Sequence, residues 1–176
     1  MRRTSGSAAV APTSSARPSR RPDSRPDVRA LLQRVTRASV TVEGSTIASI
    51  GPGLLVLLGV GHGDDEATTD ALARRVTELR IFRDDEGRTN RSIIDTHGAA
   101  LIVSQFTLYA ETARGRRPGF TNAADPALAE RLYLRFAERL RADGVRDVQA
   151  GAFGAEMAVE LVNDGPFTIW LDTART

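Results

Sequence analysis

No cysteine occurs in the 176-residue sequence, and each of its 24 basic residues is an arginine. The first absence removes thiol nucleophiles, disulfides and thiolate-ligated metals. The second removes Schiff-base chemistry and a lysine general base. Histidine is scarce as well. His62 lies between two glycines and His97 in a Thr-His-Gly turn, and neither falls in a metal-ligand spacing, so no metal is expected. No apolar run approaches the ~20 residues that cross a bilayer, which predicts a soluble chain with no membrane association.

The net charge of +2 is unevenly spread. Residues 1–27 carry six arginines against Asp23 and Asp27, a net of +4, which leaves −2 on the remainder. A slightly acidic body has no general affinity for DNA, so any contact with RNA must come from local arginine clusters and from shape. Residues 1–27 are rich in Ser, Pro, Ala and Arg with no hydrophobic period, the composition of a disordered extension. Arg- and Ser-rich and poor in acids, this stretch has the composition of an organelle transit peptide but no clear amphipathic run. A third reading starts translation at Val28, through a valine codon used as initiator. One domain is expected over residues 28–176.

From Val28 the pattern turns regular. β-Branched alternation around Ser39 to Val42, a turn at Gly44-Ser45 and a return strand are followed by the apolar run Leu54 to Val60, which predicts a buried strand. Asp64 or Asp65 can cap a helix whose Leu72, Val76 and Leu79 share one face. A strand with a polar loop (IFRDDEGRTNRSI) and a strong buried strand (ALIVSQFTLYA) come next. Asp125-Pro126 opens a second helix with Leu128, Leu132, Phe136 and Leu140 on one face. Two strands, joined by a tight turn in NDGPFT, end the chain. These elements predict an α+β fold, a curved or barrel-like sheet with two amphipathic helices on one side.

Four stretches could carry chemistry. In SQFTL, strand alternation sets Ser104, Phe106 and Leu108 on one face and Gln105 and Thr107 on the other. Such hydroxyls commonly satisfy backbone groups, and a nucleophilic role needs a base that no nearby residue offers. GAFGAEM sets Phe153 and Met157 beside two glycines, where a flat ring could approach the backbone closely or the chain could simply turn. ARGRRPGF puts Arg114, Arg116 and Arg117 on one loop with Phe120, a composition suited to phosphate contact and stacking, or to plain solvation. NDGPFT fits a bland turn least well, because Pro166 locks φ and removes a donor that a hairpin does not need to lose. A cis Gly165-Pro166 bond is expected there, turning the flanking carbonyls to one side as a rigid acceptor pair.

Taken in order, QRVTRASVTV, SQFTLYA, RRPGF, GAFGAEM and NDGPFT closely resemble the D-aminoacyl-tRNA deacylases, hydrolases that remove D-amino acids mischarged onto tRNA. The resemblance covers Val28 to about Thr173. It implies a cytoplasmic homodimer acting without a cofactor on tRNA charged with a D-amino acid or glycine. Gly165 and Pro166 of one subunit would form a chiral gate in the pocket of the other, with Arg34 holding them. Ser104, Gln105, Phe106 and Thr107 would line the ester site, and Phe153 and Met157 would hold the terminal adenine. The chemistry it implies rests on the adenosine 2′-hydroxyl and backbone amides, which agrees with the missing base. Two departures stand out: GRTNRS over Gly87 to Ser92 where GKMNLS is common, and Phe167 where a smaller β-branched residue is usual. The competing readings are an esterase or amidase with Thr107 or Ser104 as nucleophile, and a non-catalytic RNA-binding module using the arginine loop.

Overall fold

The computed structural model describes residues 26–113 and 115–175, so the readings of residues 1–25 and of Arg114 lie outside the described residues. The long first strand organises everything else. In β1 (Arg29–Val42) the first half pairs antiparallel with β3 (Gly53–Gly59) and the second half with β2 (Ser45–Ile50). Its other edge is paired along almost its whole length by β8 (Ala158–Asp172). The turn into β2 is made by Glu43 and Gly44, both at positive φ, one residue earlier than the sequence suggested. β3 continues in parallel to β6 (Ala99–Ser104), and β6 in parallel to β7 (Val148–Ala150). The sheet curls into a nearly closed, barrel-like form.

Parallel neighbours need long crossovers, and the two helices supply them. α1 (Glu66–Glu78) lies between β3 and β6, and α2 (Pro126–Ala142) between β6 and β7. Asp65 is the cap of α1. Its carboxylate accepts from Thr68 N–H at 2.8 Å while Thr68 Oγ1 accepts from Asp65 N–H at 3.1 Å, and the Thr68 backbone and hydroxyl bonds to the Asp65 carboxyl hold it below the usual carboxylate range. At α2, Asp125 accepts from Leu128 N–H at 3.1 Å and Pro126 fills the first turn. A short hairpin, β4 (Phe82–Arg83) with β5 (Thr89–Arg91), leads from α1 toward β6.

Strand alternation divides the apolar residues between two cores. Leu54, Val56 and Leu58 of β3 and Ala100 and Ile102 of β6 face the helices, meeting Leu72 and Val76 of α1 and Tyr133, Phe136 and Leu140 of α2. The intervening Leu55, Leu101 and Val103 face the barrel interior with Val35, Val40 and Ile50. Both faces of β3 and β6 are therefore dry, which is why their sequences read as unbroken apolar runs. Each fully buried Leu or Phe contributes ~1.5–3 kcal/mol. Both helices pack on the one side of the sheet, as their stripes predicted. Among the described residues no helix is long and apolar enough to cross a membrane.

Candidate active site

β6 ends sooner than its sequence implies. The strand stops at Ser104, and Phe106–Tyr109 form a 3-10 turn, so the expected alternation of Gln105 and Thr107 against Phe106 and Leu108 is lost. The cause is the end of its neighbour β3. Gln105 N–H still bonds Leu58 O at 2.7 Å, but beyond Gly59 no strand remains to pair with. A Cβ at Gly59 would stand 3.1 Å from Gln105 O and from Leu108 Cβ, so glycine lets the turn fold back onto the strand end. In a 3-10 turn the first N–H groups have no internal acceptor. Those of Phe106 and Thr107 open this turn, and no side chain accepts from them among the described residues.

The turn is fastened from below by charge. Arg29 donates to Leu108 O at 2.9 Å, stacks over the Tyr109 ring at 4.2 Å, and is bonded to the Asp27 carboxylate. Buried Asp64, rather than capping α1, accepts from Gly61 N–H at 2.6 Å and Asp27 N–H at 2.5 Å and lies 3.4 Å from the Tyr109 hydroxyl. Burial raises the Asp64 carboxyl, partly offset by these bonds. Burial, then the charges of Asp64 and Asp27, push the Tyr109 phenol far above its ordinary value, so it stays a neutral donor.

Above this base lies a cavity of about 600 Å³. Ser104, Gln105 and Phe106 line it from the turn, Phe153 and Met157 from the segment before β8, and Phe120 from the arginine loop. Five of the residues read as site residues from the sequence are thus brought together. Thr107 is not in the lining. Its Oγ1 is bonded by the Gln105 side-chain amide, and no carboxylate or imidazole reaches it or Ser104 among the described residues. Tyr133 braces the floor, donating to Ile102 O at 2.8 Å and Gly151 O at 3.0 Å, and burial pushes its phenol up to about 12. Phe120 was legible only as a stacking residue of its loop; its edge-to-face contact with Phe106, centroids 4.9 Å apart, needed the fold.

Gly165, Pro166 and Arg34 lie elsewhere. NDGPFT is not a hairpin between two strands but a bulge inside one strand: between the pairs Gln33–Thr168 and Val35–Asn163, β1 contributes only Arg34 while β8 contributes Asp164 to Phe167. The turn-forming residues are the same in either case, so sequence alone does not separate them. Asn163 closes the bulge, its Oδ1 accepting from Phe167 N–H at 2.6 Å and its Nδ2 donating to Phe167 O at 3.3 Å. The Gly165-Pro166 bond is cis. Gly165 has φ +141°, and a Cβ there would stand 2.9 Å from Phe167 N. Arg34, only 3 % exposed, clamps the bulge. Its Nε lies 3.2 Å from Asp164 O and 2.9 Å from Asp164 Oδ2, its Nη1 donates to Ile81 O, and its guanidinium sits 4.7 Å over the Phe167 ring. The unusual Phe167 therefore gives the clamp an aromatic floor. In the other departure, Arg91 pairs with Asp85 at 2.7 Å.

A family model described as D-Tyr-tRNA(Tyr) deacylase matches residues 31–172 of this chain. The chain belongs to that family. It is 60% identical over 147 residues to a D-aminoacyl-tRNA deacylase of Paracoccus denitrificans, covering 84% of this chain and 98% of that one. A D-aminoacyl-tRNA deacylase of Thermomicrobium roseum is 59% identical over 148 residues, covering 84% and 96%. Among solved structures, the c-Myc DNA Unwinding Element Binding Protein superposes with a TM-score of 0.77 at 41% identity, covering 81% of this chain and 97% of that chain. A probable eukaryotic D-amino acid tRNA deacylase shares the fold, with a TM-score of 0.72 at 19% identity over 83% of this chain and 99% of the other.

Proposed function

We propose that this protein hydrolyses the ester of D-aminoacyl-tRNA to free D-amino acid and tRNA, and also cleaves glycyl-tRNA, as a proofreading enzyme of the cytoplasm. The observation that carries this reading is the pocket of Ser104, Gln105, Phe106, Phe153 and Met157, apolar enough for a base, beside the turn whose opening N–H groups at Phe106 and Thr107 have no acceptor among the described residues. The terminal adenine lies against Phe153 and Met157. Water adds to the ester carbonyl, the N–H pair stabilises the oxyanion, and the carbon–oxygen bond to the ribose then breaks. The adenosine 2′-hydroxyl handles the proton that no side chain among the described residues is placed to take.

Chirality is read by Gly165 and Pro166. D- and L-aminoacyl groups exchange hydrogen and side chain at the α-carbon, so a rigid wall there admits one and rejects the other, while glycine has nothing to reject. The bulge does not line its own protomer's pocket, so the wall is supplied by the second subunit of a homodimer. Exposed Val162 and Trp170, the latter 43 % exposed, lie on either side of the bulge and support burial of that strand against a partner. Light scattering at micromolar concentration should give twice the 19.0 kDa chain mass; a monomer would remove the gate from this account. The deciding experiment charges one tRNA with D-tyrosine, L-tyrosine and glycine in parallel. Hydrolysis of the D-ester, partial cleavage of the glycyl ester and survival of the L-ester are expected, whereas comparable D and L rates would overturn the reading.

A further inference from the structure

The pocket has room for an aminoacyl nucleoside and little more, so the rest of the RNA strand must leave through its mouth, where the arginine loop stands. The loop is tied at both ends. Glu111 and Gly119 exchange backbone bonds of 2.8 and 3.0 Å, bringing the two ends of the loop together directly after the 3-10 turn. Beyond Phe120 the chain is fastened to the end of β3: His62 Nε2 lies 2.7 Å from Thr121 O, Ala124 N–H donates to Val60 O at 2.9 Å, and Gly61 bridges Ala123. Phe120 itself packs edge-to-face on Phe106, a lining residue of the pocket that is itself 56 % exposed. Arg116 and Arg117 are thus carried on a frame fixed to the pocket.

These two cations are also unspent. Both are exposed, and neither is ion-paired or hydrogen-bonded among the described residues. Glu111, the acid of the loop, accepts from Ala113 N–H at 2.8 Å instead. Three arginines of α2 differ: Arg131 and Arg135 reach Glu66 and Asp70, and Arg139 reaches Asp143. Their charge is already balanced. Paired guanidinium groups hold no affinity in reserve for phosphate, whereas free ones release counterions from a bound strand.

We propose that Arg116 and Arg117 form a phosphate-contact surface for the single-stranded 3′ end of the RNA, gripping the backbone just upstream of the nucleoside in the pocket, with the exposed Phe106 ring as a stacking face beside it. This rests on the function proposed above and deepens it, because it separates recognition of the strand from recognition of the aminoacyl group. Contacts to phosphate lie far from the reacting ester and are equal in ground and transition states, so they act on KM and leave kcat alone.

The test compares two D-tyrosyl esters, one on full tRNA and one on adenosine alone, which carries no phosphate. With the doubly substituted Arg116→Gln, Arg117→Gln protein, KM for the tRNA ester should rise on the order of tenfold with kcat unchanged. The slope of log(kcat/KM) against log[salt] should become shallower by about 1.4, two contacts at ~0.7 each on a single strand. The adenosine ester should be cleaved as by wild type, and the double lysine variant should restore the salt slope. An equal loss on both esters, or an unchanged KM and salt slope on tRNA, would overturn the proposal. Failure of the wild-type protein to cleave D-tyrosyl-tRNA would instead overturn the function on which it rests.

Discussion

Arg34→Gln should lower kcat/KM on D-tyrosyl-tRNA by about a hundredfold, the size of loss that a displacement of ~1 Å can cause in a reactive complex. The guanidinium joins the bulge backbone at Asp164 O, the Asp164 carboxylate, the Phe167 ring and the carbonyl of Ile81. Glutamine is shorter and uncharged. It cannot span these partners, so the Gly165-Pro166 bulge would loosen, and with it the wall proposed to face the α-carbon of the substrate. D-ester cleavage should fall, and the ratio of D to L rates should fall with it, because a loosened wall rejects less. Stability should drop as well, by ~1–3 kcal/mol, mainly from the buried carbonyl of Ile81 losing its donor; Asp164, its side chain 42 % exposed, regains water and adds little. Asp164→Asn separates the two effects, since it removes the ion pair and keeps the backbone contact. It should fold normally and lose only a few-fold in rate. Wild-type kcat/KM and wild-type D-to-L ratio in a folded Arg34→Gln protein would rule out the clamp.

The two helices and the buried strands were legible because each is written in local signals: Asp125-Pro126 at an N-terminus, Leu132, Phe136 and Leu140 at helical spacing, unbroken apolar runs in β3 and β6. The misreadings fall where a neighbour decides. Whether ALIVSQFTLYA continues as strand depends on where β3 ends, and that is set by packing at Gly59 rather than by the run itself. Whether NDGPFT reverses the chain depends on β1 lying opposite both of its flanks. Asp64 and Asp65 are interchangeable as caps on paper, and Asp64 turns inward to Gly61 N–H, Asp27 N–H and the Tyr109 hydroxyl, two of which come from elsewhere in the chain. The same holds for the site. Ser104 to Phe106, Phe153 and Met157 were found by motif, and their meeting in one cavity follows from β6 lying beside β7. The fixing of the turn by Arg29, some 80 residues away, has no signature in either stretch.

A tRNA ending in 2′-deoxyadenosine should be deacylated on the order of 10²–10⁴-fold more slowly than its ribose counterpart, the usual worth of a positioned proton-transfer group. Three features of the pocket lead there. Nothing with a basic nitrogen or carboxylate reaches Ser104 or Thr107 among the described residues. Thr107 Oγ1 is occupied as the acceptor of the Gln105 amide, the opposite of the arrangement that would activate it as a nucleophile. The groups left open are N–H donors, which can hold an oxyanion but cannot take a proton from water. The proton must then be handled by the substrate, and the 2′-hydroxyl is a proton-relaying group that stands beside the ester in every aminoacyl-tRNA. Thr107→Ala is the matching variant on the protein side. It removes a side chain that stands outside the pocket lining and leaves the backbone amide in place, so a loss of only a few-fold is expected. The two results have to be read together. A slow deoxy substrate with an active Thr107→Ala protein fits chemistry carried by RNA and backbone, whereas a normal deoxy rate with an inactive but folded and tRNA-binding Thr107→Ala protein would return the nucleophile to the side chain.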